Sequence, residues 1–341
     1  MNRILEEKIK KSKEILKLAS EMSQHYYHKP IIICYSGGKD SDVILRLAME
    51  TLKPSEFEVL HSITTVDSPI TNRYVNEIFA ELKEKGIECT KSIPMGSDGK
   101  PTNMWKLIPQ RGLPPTRLAR YCCAVLKEVS THDRMAVLGV RSDESTKRKG
   151  RDIFGVGGSY KKATFFSLDH TAEVHREALE KEKEPNGTVW DCTLIKVMRD
   201  QKDTVVNPIY EWSDSDVWDY LRGQHKHNPM YDMGYHRVGC IGCPLATYKQ
   251  KMKEFSDFPT YKQHYIDAFQ EMLNVQKSKG KKYDESTGKW LDGESVFNWW
   301  IEKDRYETKG QMKISDYMND QTDEFGLIVR KPKEGVNEDN L

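Results

Sequence analysis

The sequence lacks the features that would place it in a membrane. No apolar run approaches the roughly 20 residues that cross a bilayer, and the first residues do not form the apolar segment of a secretory signal peptide. Neither sign of charge dominates, because 53 lysines and arginines face 52 aspartates and glutamates. The mean hydropathy is −0.72. These absences predict a cytoplasmic protein that contacts no membrane and binds no polyanion through bulk charge.

The pattern of cysteines does not indicate a disulfide framework. There are seven, an odd number, and a chain of 341 residues can bury a core without disulfides. Four of them cluster, as an adjacent pair (Cys122 and Cys123) and a knuckle pair (Cys240 and Cys243). Clustered cysteines in a reducing compartment indicate metal binding more often than disulfides. We interpret the remaining three as small buried apolar residues: Cys34, Cys89 and Cys192.

The spacing of the two cysteine pairs favours one metal centre. The knuckle pair offers two thiolates, and Gly239 and Gly242 would let backbone amides bend toward the sulfurs. The adjacent pair supplies the other two ligands if the fold brings the segments together. Neighbouring cysteines suit a single tetrahedral zinc poorly but can bind two irons of a cubane. We therefore expect a [4Fe-4S] cluster, with zinc or unmetallated thiols as the alternatives.

The most informative stretch is C-Y-S-G-G-K-D-S at residues 34–41, which follows three isoleucines. It predicts a strand, a tight loop and the start of a helix. Paired glycines expose backbone amides, while the helix dipole and a lysine add positive charge, so we expect a bound phosphate or pyrophosphate. The alternative is an ordinary glycine turn. The Walker A spacing is absent. The predicted nucleotide-binding residues are Ser36, Gly37, Gly38, Lys39, Asp40 and Ser41.

Apolar patterns downstream alternate between strands and helices, which predicts an α/β fold with a doubly wound, mostly parallel sheet. Two polar residues then fall at carboxyl ends of strands, where such sheets bind ligands. Asp67 follows the predicted strand 57–63, and is either a strand-end cap or a functional carboxylate. Arg141 follows the predicted strand 135–140, and binds either an anion or a nearby acidic residue.

The predicted organisation runs along the chain. We expect a leading amphipathic helix at 1–28, a nucleotide-binding domain with the cysteine pairs at 29–245, a helical region at 246–330 and a disordered tail at 331–341. Within the domain, the segment before residue 113 predicts an irregular loop, and the charged stretch 171–186 predicts an insertion on the surface.

Aromatic residues and histidines in the second half are interpreted as structural. Ser213 predicts the N-cap of a helix that Trp212 and Trp218 flank as core residues. Four cysteines suffice for the expected centre, so we interpret three histidines as surface or core residues rather than ligands: His225, His227 and His236.

Several motifs, taken together, resemble a known family. S-G-G-K-D-S at 36–41 is similar to the PP-loop of the adenine nucleotide alpha hydrolase superfamily, whose members bind ATP or adenylyl sulfates. With C-C-A-V-L-K at 122–127, G-V-R-S-D-E-S at 139–145, P-I-Y-E-W-S-D-S-D-V-W-D-Y at 208–220 and N-P-M-Y-D-M-G-Y-H-R-V-G-C-I-G-C-P at 228–244, the chain resembles the phosphoadenosine phosphosulfate reductase family. The resemblance implies a [4Fe-4S] cluster on both cysteine pairs. It also implies that Lys39, Lys127 and Arg141 neutralise the ligand's oxyanions.

One departure from that family concerns a C-terminal E-C-G-[LI]-H motif, because no cysteine follows Cys243. The same core without that thiol resembles DndC-type proteins of DNA phosphorothioation. This resemblance implies an ATP pyrophosphatase that adenylates a substrate for sulfur transfer, nucleic acid being one such acceptor. Lys39, Asp40 and Arg141 would be catalytic, and Mg²⁺ would bind with ATP near Asp40 or Asp67.

The resemblance leaves the partners and two other activities open. A sulfur donor of the cysteine desulfurase type is expected, as is a homodimer or a multiprotein complex. An adenylyl sulfate reductase that uses an external thiol is one alternative activity. A nucleotide-binding subunit without catalysis is the other.

Overall fold

The structure is a computed structural model that describes residues 3–127, 131, 133–145, 148–156, 164–183, 192–200, 202–223, 226–280, 290–307, 318–322 and 328–332. The described residues contain eleven α-helices: α1 (Arg3–Tyr27), α2 (Lys39–Thr51), α3 (Pro69–Glu84), α4 (Met104–Arg111), α5 (Tyr121–Leu126), α6 (Leu168–Glu182), α7 (Thr193–Arg199), α8 (Asp214–Arg222), α9 (Tyr248–Asp257), α10 (Pro259–Ser278) and α11 (Gly293–Glu307). None of these helices combines the length and the apolar character that a bilayer-spanning segment needs.

Nine strands lie in the same described ranges: β1 (Ile31–Cys34), β2 (Phe57–Ser62), β3 (Glu88–Ser92), β4 (Met135–Val137), β5 (Phe154–Val156), β6 (Thr164–Phe166), β7 (Thr204–Val206), β8 (Met318–Thr322) and β9 (Ile328–Pro332). Seven of them form one sheet in the order β3-β2-β1-β4-β7-β5-β6, and β8 pairs with β9.

The large sheet confirms the predicted fold class. The strands from β3 through β7 in that order pair in parallel, and β5 joins β7 and β6 in antiparallel fashion. The isoleucines of β1 are buried, as expected for a central parallel strand covered on both faces. The α/β fold is thus doubly wound and mostly parallel.

The chain divides into two compact units, and neither is a continuous segment. The first unit contains Met1–Ile63, Asp67–Pro94 and Lys127–Gly239. Its apolar core joins the sheet to helices on its faces; on α1, for example, Ile15, Ala19 and Met22 recur at helical spacing and are at most 1% exposed.

The second unit contains Thr64–Val66, Met95–Leu126 and Cys240–Leu341. It has its own aromatic core, in which Tyr265, Phe269 and Trp300 are at most 2% exposed. Both cysteine pairs belong to this unit. The sequence had assigned them to the nucleotide-binding segment, because the prediction followed chain order and had no signal for a discontinuous unit.

The charged stretch predicted as a surface insertion is instead a packed helix in its described part. Helix α6 begins after Ser167, whose hydroxyl accepts a hydrogen bond from the His170 amide. It buries one face, with Val174 and Ala178 in the core of the first unit. The buried residues are Thr171, Val174, His175 and Ala178, with no large aliphatic side chain among them, so the apolar face escaped recognition in a segment dominated by charge. Residues 184–186 lie outside the described part.

Two other predictions differ from the structure. The segment expected to be irregular contains α4, which Asn103 caps through the Lys106 amide and Gly112 ends in the left-handed region. Pro109 inside the helix disguised it. Of the predicted disordered tail, Lys331 and Pro332 end β9, and the rest lies outside the described residues.

Candidate functional site

Two segments of the first unit meet at the centre of the sheet. β1 pairs with β2 on one side and with β4 on the other, with Ile33 opposite Val137. The sheet order therefore reverses at β1, and the crevice beyond such a reversal is where doubly wound sheets bind ligands. The loop after β1 and the segment 138–141 after β4 both enter this crevice.

Gly37 gives the loop its shape. Its φ is +74°, in the left-handed region, and a Cβ there would lie 2.9 Å from Cγ2 of Val75 on α3. Asn228, which is fully buried, donates from its side-chain amide to the Gly37 carbonyl at 2.9 Å. A residue with a side chain would strain the backbone and displace α3, so the glycine is a structural requirement.

Helix α2 begins directly after this loop without a side-chain cap, because its N-cap residue is Gly38. The Lys39 amide donates to the Tyr231 hydroxyl at 2.9 Å. The Ser41 hydroxyl donates to the Gly38 carbonyl at 2.8 Å and lies 3.2 Å from the hydroxyl of Ser36. The structure thus brings the predicted loop residues together at a helix N-terminus, where the helix dipole attracts anions and the first amide is bound by Tyr231.

Two buried cations converge beside the loop. Lys39 is 7% exposed and Arg141 only 4%. Nε of Arg141 donates to Oδ1 of Asp40 at 2.7 Å. Nζ of Lys39 and Nη2 of Arg141 both contact one oxygen, Oδ1 of Asp214, at 2.5 and 2.9 Å. Arg141 therefore makes its short ion pairs across the crevice, and its contact with its neighbour Asp143 is longer, at 3.9 Å.

Asp214 is the acidic residue that joins these cations. Partial burial acts to raise its pKa, but the hydrogen bond from Lys39 and the charges of Lys39 and Arg141 prevail and lower it. The carboxylate is therefore ionised at neutral pH, and it holds the two cations about one point.

A cavity of about 590 Å³ opens next to this charge cluster within the first unit. Nζ of Lys39 lies 5.4 Å from the ring centre of Trp218. The cavity is lined by Lys39, Asp214, Trp218, Leu221, Arg222, His227, Tyr231, Asp232, Gly234, Tyr235 and His236. Positive and aromatic groups together suit an organic anion.

The cavity changes the interpretation of several residues. Trp212 is a core residue as predicted, 2% exposed, with its indole donating to the Ser12 hydroxyl at 3.0 Å. Trp218 is only partly buried and faces the cavity. His227 and His236 line the same cavity, and His225 lies outside the described residues.

Asp67 and Lys127 both lie near His61 in the first unit. His61 is 4% exposed and donates from Nδ1 to the Tyr35 carbonyl at 2.9 Å. Burial lowers the pKa of His61, Lys127 adds to that effect, and Asp67 opposes it. Asp67 is itself buried, directly before the N-cap of α3. The charges of these two predicted residues therefore act on a buried histidine that the sequence had not singled out.

Asp42 carries a buried carboxyl in the first turn of α2. It is 2% exposed and accepts a hydrogen bond from the Tyr35 hydroxyl at 2.6 Å. Burial raises its pKa to about 7, although the hydrogen bond from Tyr35 acts in the other direction. Between its unfolded pKa of about 4 and this value, the folded state binds more protons than the unfolded state. The free energy of unfolding should therefore fall as the pH rises through this window.

We expect Asp42→Asn to be more stable than the wild type at pH 8 and nearly equal to it at pH 4. The amide oxygen can still accept from Tyr35, and the buried charge is removed. Chemical denaturation at both pH values measures the difference. Asp219→Asn, at a half-exposed side chain on α8, is the control and should change neither value. A wild type whose stability rises from pH 4 to pH 7 relative to Asp42→Asn would contradict the assignment.

The four clustered thiols lie in one region of the second unit. A hydrogen bond with the Cys123 thiol raises the pKa of Cys122, as do burial and the nearby thiols of the knuckle pair. Nη2 of Arg120 donates to Sγ of Cys123 at 3.1 Å. The two pairs are therefore close enough to influence one another electrostatically.

The backbone of the knuckle is held by its own unit. The Ile241 amide donates to the Val66 carbonyl and the Gly242 amide to Oε2 of Glu254, both at 2.8 Å. The Tyr265 hydroxyl donates to the Ile241 carbonyl at 3.0 Å. These amides pair with oxygens, so the expectation that they bend toward sulfur is not met.

Gly242 is required at the knuckle. Its φ is +69°, and a Cβ would lie 2.9 Å from Phe255 and Tyr265 and 3.0 Å from Trp300. The glycine lets the cysteine loop approach the aromatic core closely, which fixes its position.

The arrangement of the four cysteine thiols bears on whether they could hold the expected [4Fe-4S] cluster. In the described part of the chain, no three His, Cys, Asp or Glu side chains surround a point as ligands of a single metal ion would. The thiols do interact with one another, and a cation donates to one of them. Four thiols near an arginine fit a thiolate-ligated cluster, which is wider than one ion and carries negative charge.

Comparison with known sequences places the chain in a family. The profile of the phosphoadenosine phosphosulfate reductase domain matches residues 30–246, well over half of the chain. The chain belongs to this family. The matched region includes β1, both cysteine pairs and α8. This match confirms the resemblance to the phosphoadenosine phosphosulfate reductase family that the motifs indicated.

Two uncharacterized proteins of Methanocaldococcus jannaschii are similar to this family member. One is 24% identical over 273 residues, which are 77% of this chain and 44% of the relative. The other is 25% identical over 277 residues, 81% of this chain and 54% of the relative. The chain spans about half the length of these curated relatives.

Solved structures show a more distant likeness. A phosphoadenylyl-sulfate reductase from Candida auris in a phosphate complex is 14% identical, with a TM-score of 0.37 over 70% of this chain and 96% of that one. The U34-tRNA thiolase NcsA from Methanococcus maripaludis, with its [4Fe-4S] cluster, is 11% identical, with a TM-score of 0.36 over 80% of this chain and 82% of that one. Similarity at this level carries no residue roles to this chain.

Three residues that contact the loop after β1 or Lys39 were not predicted as site residues from the sequence: Asp214, Asn228 and Tyr231. All three lie inside motifs that carry the family resemblance, at 208–220 and 228–244. Their partners are in the loop after β1, roughly 180 residues earlier in the chain. Their position inside these motifs was the only sequence feature that could have pointed to them. Their contacts with the loop could be identified only from the folded structure.

Proposed function

We propose that the chain is an ATP pyrophosphatase that adenylates an acceptor for sulfur transfer. One observation carries the proposal. Lys39 and Arg141 are more than nine-tenths buried, yet both reach a single carboxylate oxygen beside the N-terminus of α2. Two desolvated cations aimed at one point, with helix amides next to them, suit a polyphosphate.

In this proposal the loop after β1 holds the β and γ phosphates of Mg²⁺-bound ATP. Backbone groups around Gly37 and Gly38 approach the phosphates closely because no Cβ intervenes. The acceptor oxygen attacks the α-phosphorus, and the bond from that phosphorus to the bridging oxygen breaks, so pyrophosphate leaves with the electron pair. Lys39 and Arg141 stabilise the negative charge that develops, and Asp40 orients the guanidinium.

The second part of the proposal concerns the cysteines. Cys122, Cys123, Cys240 and Cys243 would hold a [4Fe-4S] cluster, with Arg120 as a neighbouring cation. Such a cluster would supply iron sites for sulfur chemistry when bound. Glu254 and Tyr265 would keep the knuckle in place through its backbone.

The acceptor and the sulfur donor belong to the proposal as classes. A nucleic acid acceptor and a cysteine desulfurase-type donor fit the activity. Asp67 and Lys127 remain proposed ligand contacts. A homodimer or a larger complex is proposed on the same footing.

Product analysis tests the first part. Purified protein, incubated with Mg²⁺ and ATP labelled on the α-phosphorus, should give AMP or an adenylated acceptor, with one pyrophosphate for each ATP consumed. Formation of ADP and inorganic phosphate would contradict the proposal, because it requires attack at a different phosphorus.

Family membership favours a second candidate, the reduction of an adenylyl sulfate with an external thiol. This activity would release sulfite and AMP from adenylyl sulfate when thioredoxin or a small thiol is present. Sulfite release without any pyrophosphate from ATP would select this candidate over the first.

A further inference from the structure

We propose that Asp214 acts as an internal competitor of the ligand: its carboxylate occupies the anion position between Lys39 and Arg141, and a polyphosphate must displace it to bind. This inference rests on the proposed function, since it assumes that the site takes phosphate groups.

The contacts support competition rather than mere proximity. One oxygen of Asp214 lies 2.5 Å from Nζ of Lys39 and 2.9 Å from Nη2 of Arg141, which are distances that a phosphate oxygen would take. Asp40 supplies a second carboxylate to Arg141 at 2.7 Å. The two cations are therefore already paired with carboxylates before any ligand arrives.

The side chain of Asp214 is positioned so that it can move away from the two cations. Its side chain is 53% exposed, whereas those of Lys39 and Arg141 are 9% and 4% exposed. It also borders the cavity of about 590 Å³, into which a side chain can turn. The Asp214 carboxylate is therefore the group in this cluster that has room to move, whereas burial holds the side chains of Lys39 and Arg141 in place.

Helix α8 does not need Asp214 as a cap. Ser213 accepts from the Asp216 amide at 3.2 Å, and Asp216 accepts from the Ser213 amide at 2.7 Å. Asp216 also pairs with Lys8 at 2.6 Å. This capping box holds the start of the helix whether Asp214 faces the cations or the solvent.

The ligand that displaces Asp214 must therefore offer more than one carboxylate does. A singly charged anion would exchange one ion pair for another and gain little. A pyrophosphate group brings several charges and can also reach the amides at the start of α2. Asp214 would in this way favour polyphosphates over simple anions and keep the buried cations paired when no nucleotide is bound.

The test compares Asp214→Asn with the wild type and with Asp219→Asn. Asp219 lies on the same helix, pairs with Arg222 at 2.6 Å, and is 52% exposed. Both variants remove one negative charge from α8. Isothermal titration calorimetry with magnesium pyrophosphate measures affinity, and thermal unfolding verifies that each protein is folded.

We expect Asp214→Asn to bind pyrophosphate about tenfold more tightly than the wild type, and Asp219→Asn to bind it within about twofold. Equal or weaker binding by folded Asp214→Asn, with clear binding by the wild type, overturns the inference alone. Equal gains in both variants also overturn it, because long-range charge would then explain the effect. Absence of binding in all three folded proteins overturns the proposed function itself.

Discussion

Lys39→Met should lower the rate of pyrophosphate release from ATP by about 10²- to 10³-fold, the usual effect of removing one preorganised charge from a site of this kind. Lys39 is 7% exposed and contacts Asp214 at 2.5 Å, so its charge acts where water is largely excluded. Methionine keeps an unbranched apolar stem near Trp218 and Tyr231, which separates the loss of charge from a loss of packing. A continuous assay of pyrophosphate at saturating ATP measures the change.

Lys11→Met is the matched control for this substitution. Lys11 lies on α1 of the same unit and pairs with Glu211 at 2.8 Å on the surface. Removing it takes away the same charge and should leave the rate unchanged. A Lys39→Met protein that releases pyrophosphate at the wild-type rate would show that Lys39 does not stabilise the reacting phosphate.

The part of the site that lies within one short segment was predictable from the sequence. A buried apolar strand, two glycines and a helix start identify the loop after β1, because each residue type constrains its own backbone. Ser213 was recognised as an N-cap for the same reason, and its hydroxyl does accept from the Asp216 amide. Position along a parallel sheet also brought Arg141 to the loop, since carboxyl ends of neighbouring strands share an edge.

Asp214 shows why the rest was not predictable. In the sequence it is one of two aspartates in the first turn of a helix, where acidic residues favour the dipole without any further partner. Its contact with Lys39 spans 175 positions, and nothing local distinguishes it from Asp216, whose carboxylate accepts from the amide of the N-cap residue Ser213. Only the fold separates the two roles.

Helix α6 and the knuckle were misjudged for a different reason. The buried face of α6 consists of Thr171, Val174, His175 and Ala178, and two of these four are polar, so the apolar periodicity is weak although the face is packed. At the knuckle, glycine suggested amides aimed at sulfur, whereas Glu254 and Val66 take those amides. Gly242 is required because three aromatic rings pack closely against it. A sequence does not distinguish such a glycine from one that lets its backbone amide bond to sulfur.

The second large effect concerns Cys240→Ser. If the four thiols hold a [4Fe-4S] cluster, the wild type purified without oxygen should contain about four irons per chain and absorb visible light broadly. The serine variant should lose most of the iron and the absorption, because serine is a poor ligand for iron and only three thiols remain. Iron and zinc analysis with an absorption spectrum measures both.

Cys192→Ser provides the comparison that makes this result specific. Cys192 belongs to the first unit and is the N-cap residue of α7, a position where serine is favoured, so the fold should tolerate the change and the iron content should stay at the wild-type value. Equal loss of iron in both variants would indicate a general disturbance rather than a lost ligand. A wild type with one zinc and no iron would replace the cluster by a zinc centre, and full iron in Cys240→Ser would remove the knuckle pair from the ligand set. The two units can thus be tested separately, since pyrophosphate binding depends on the buried cations of the first and iron retention on the thiols of the second.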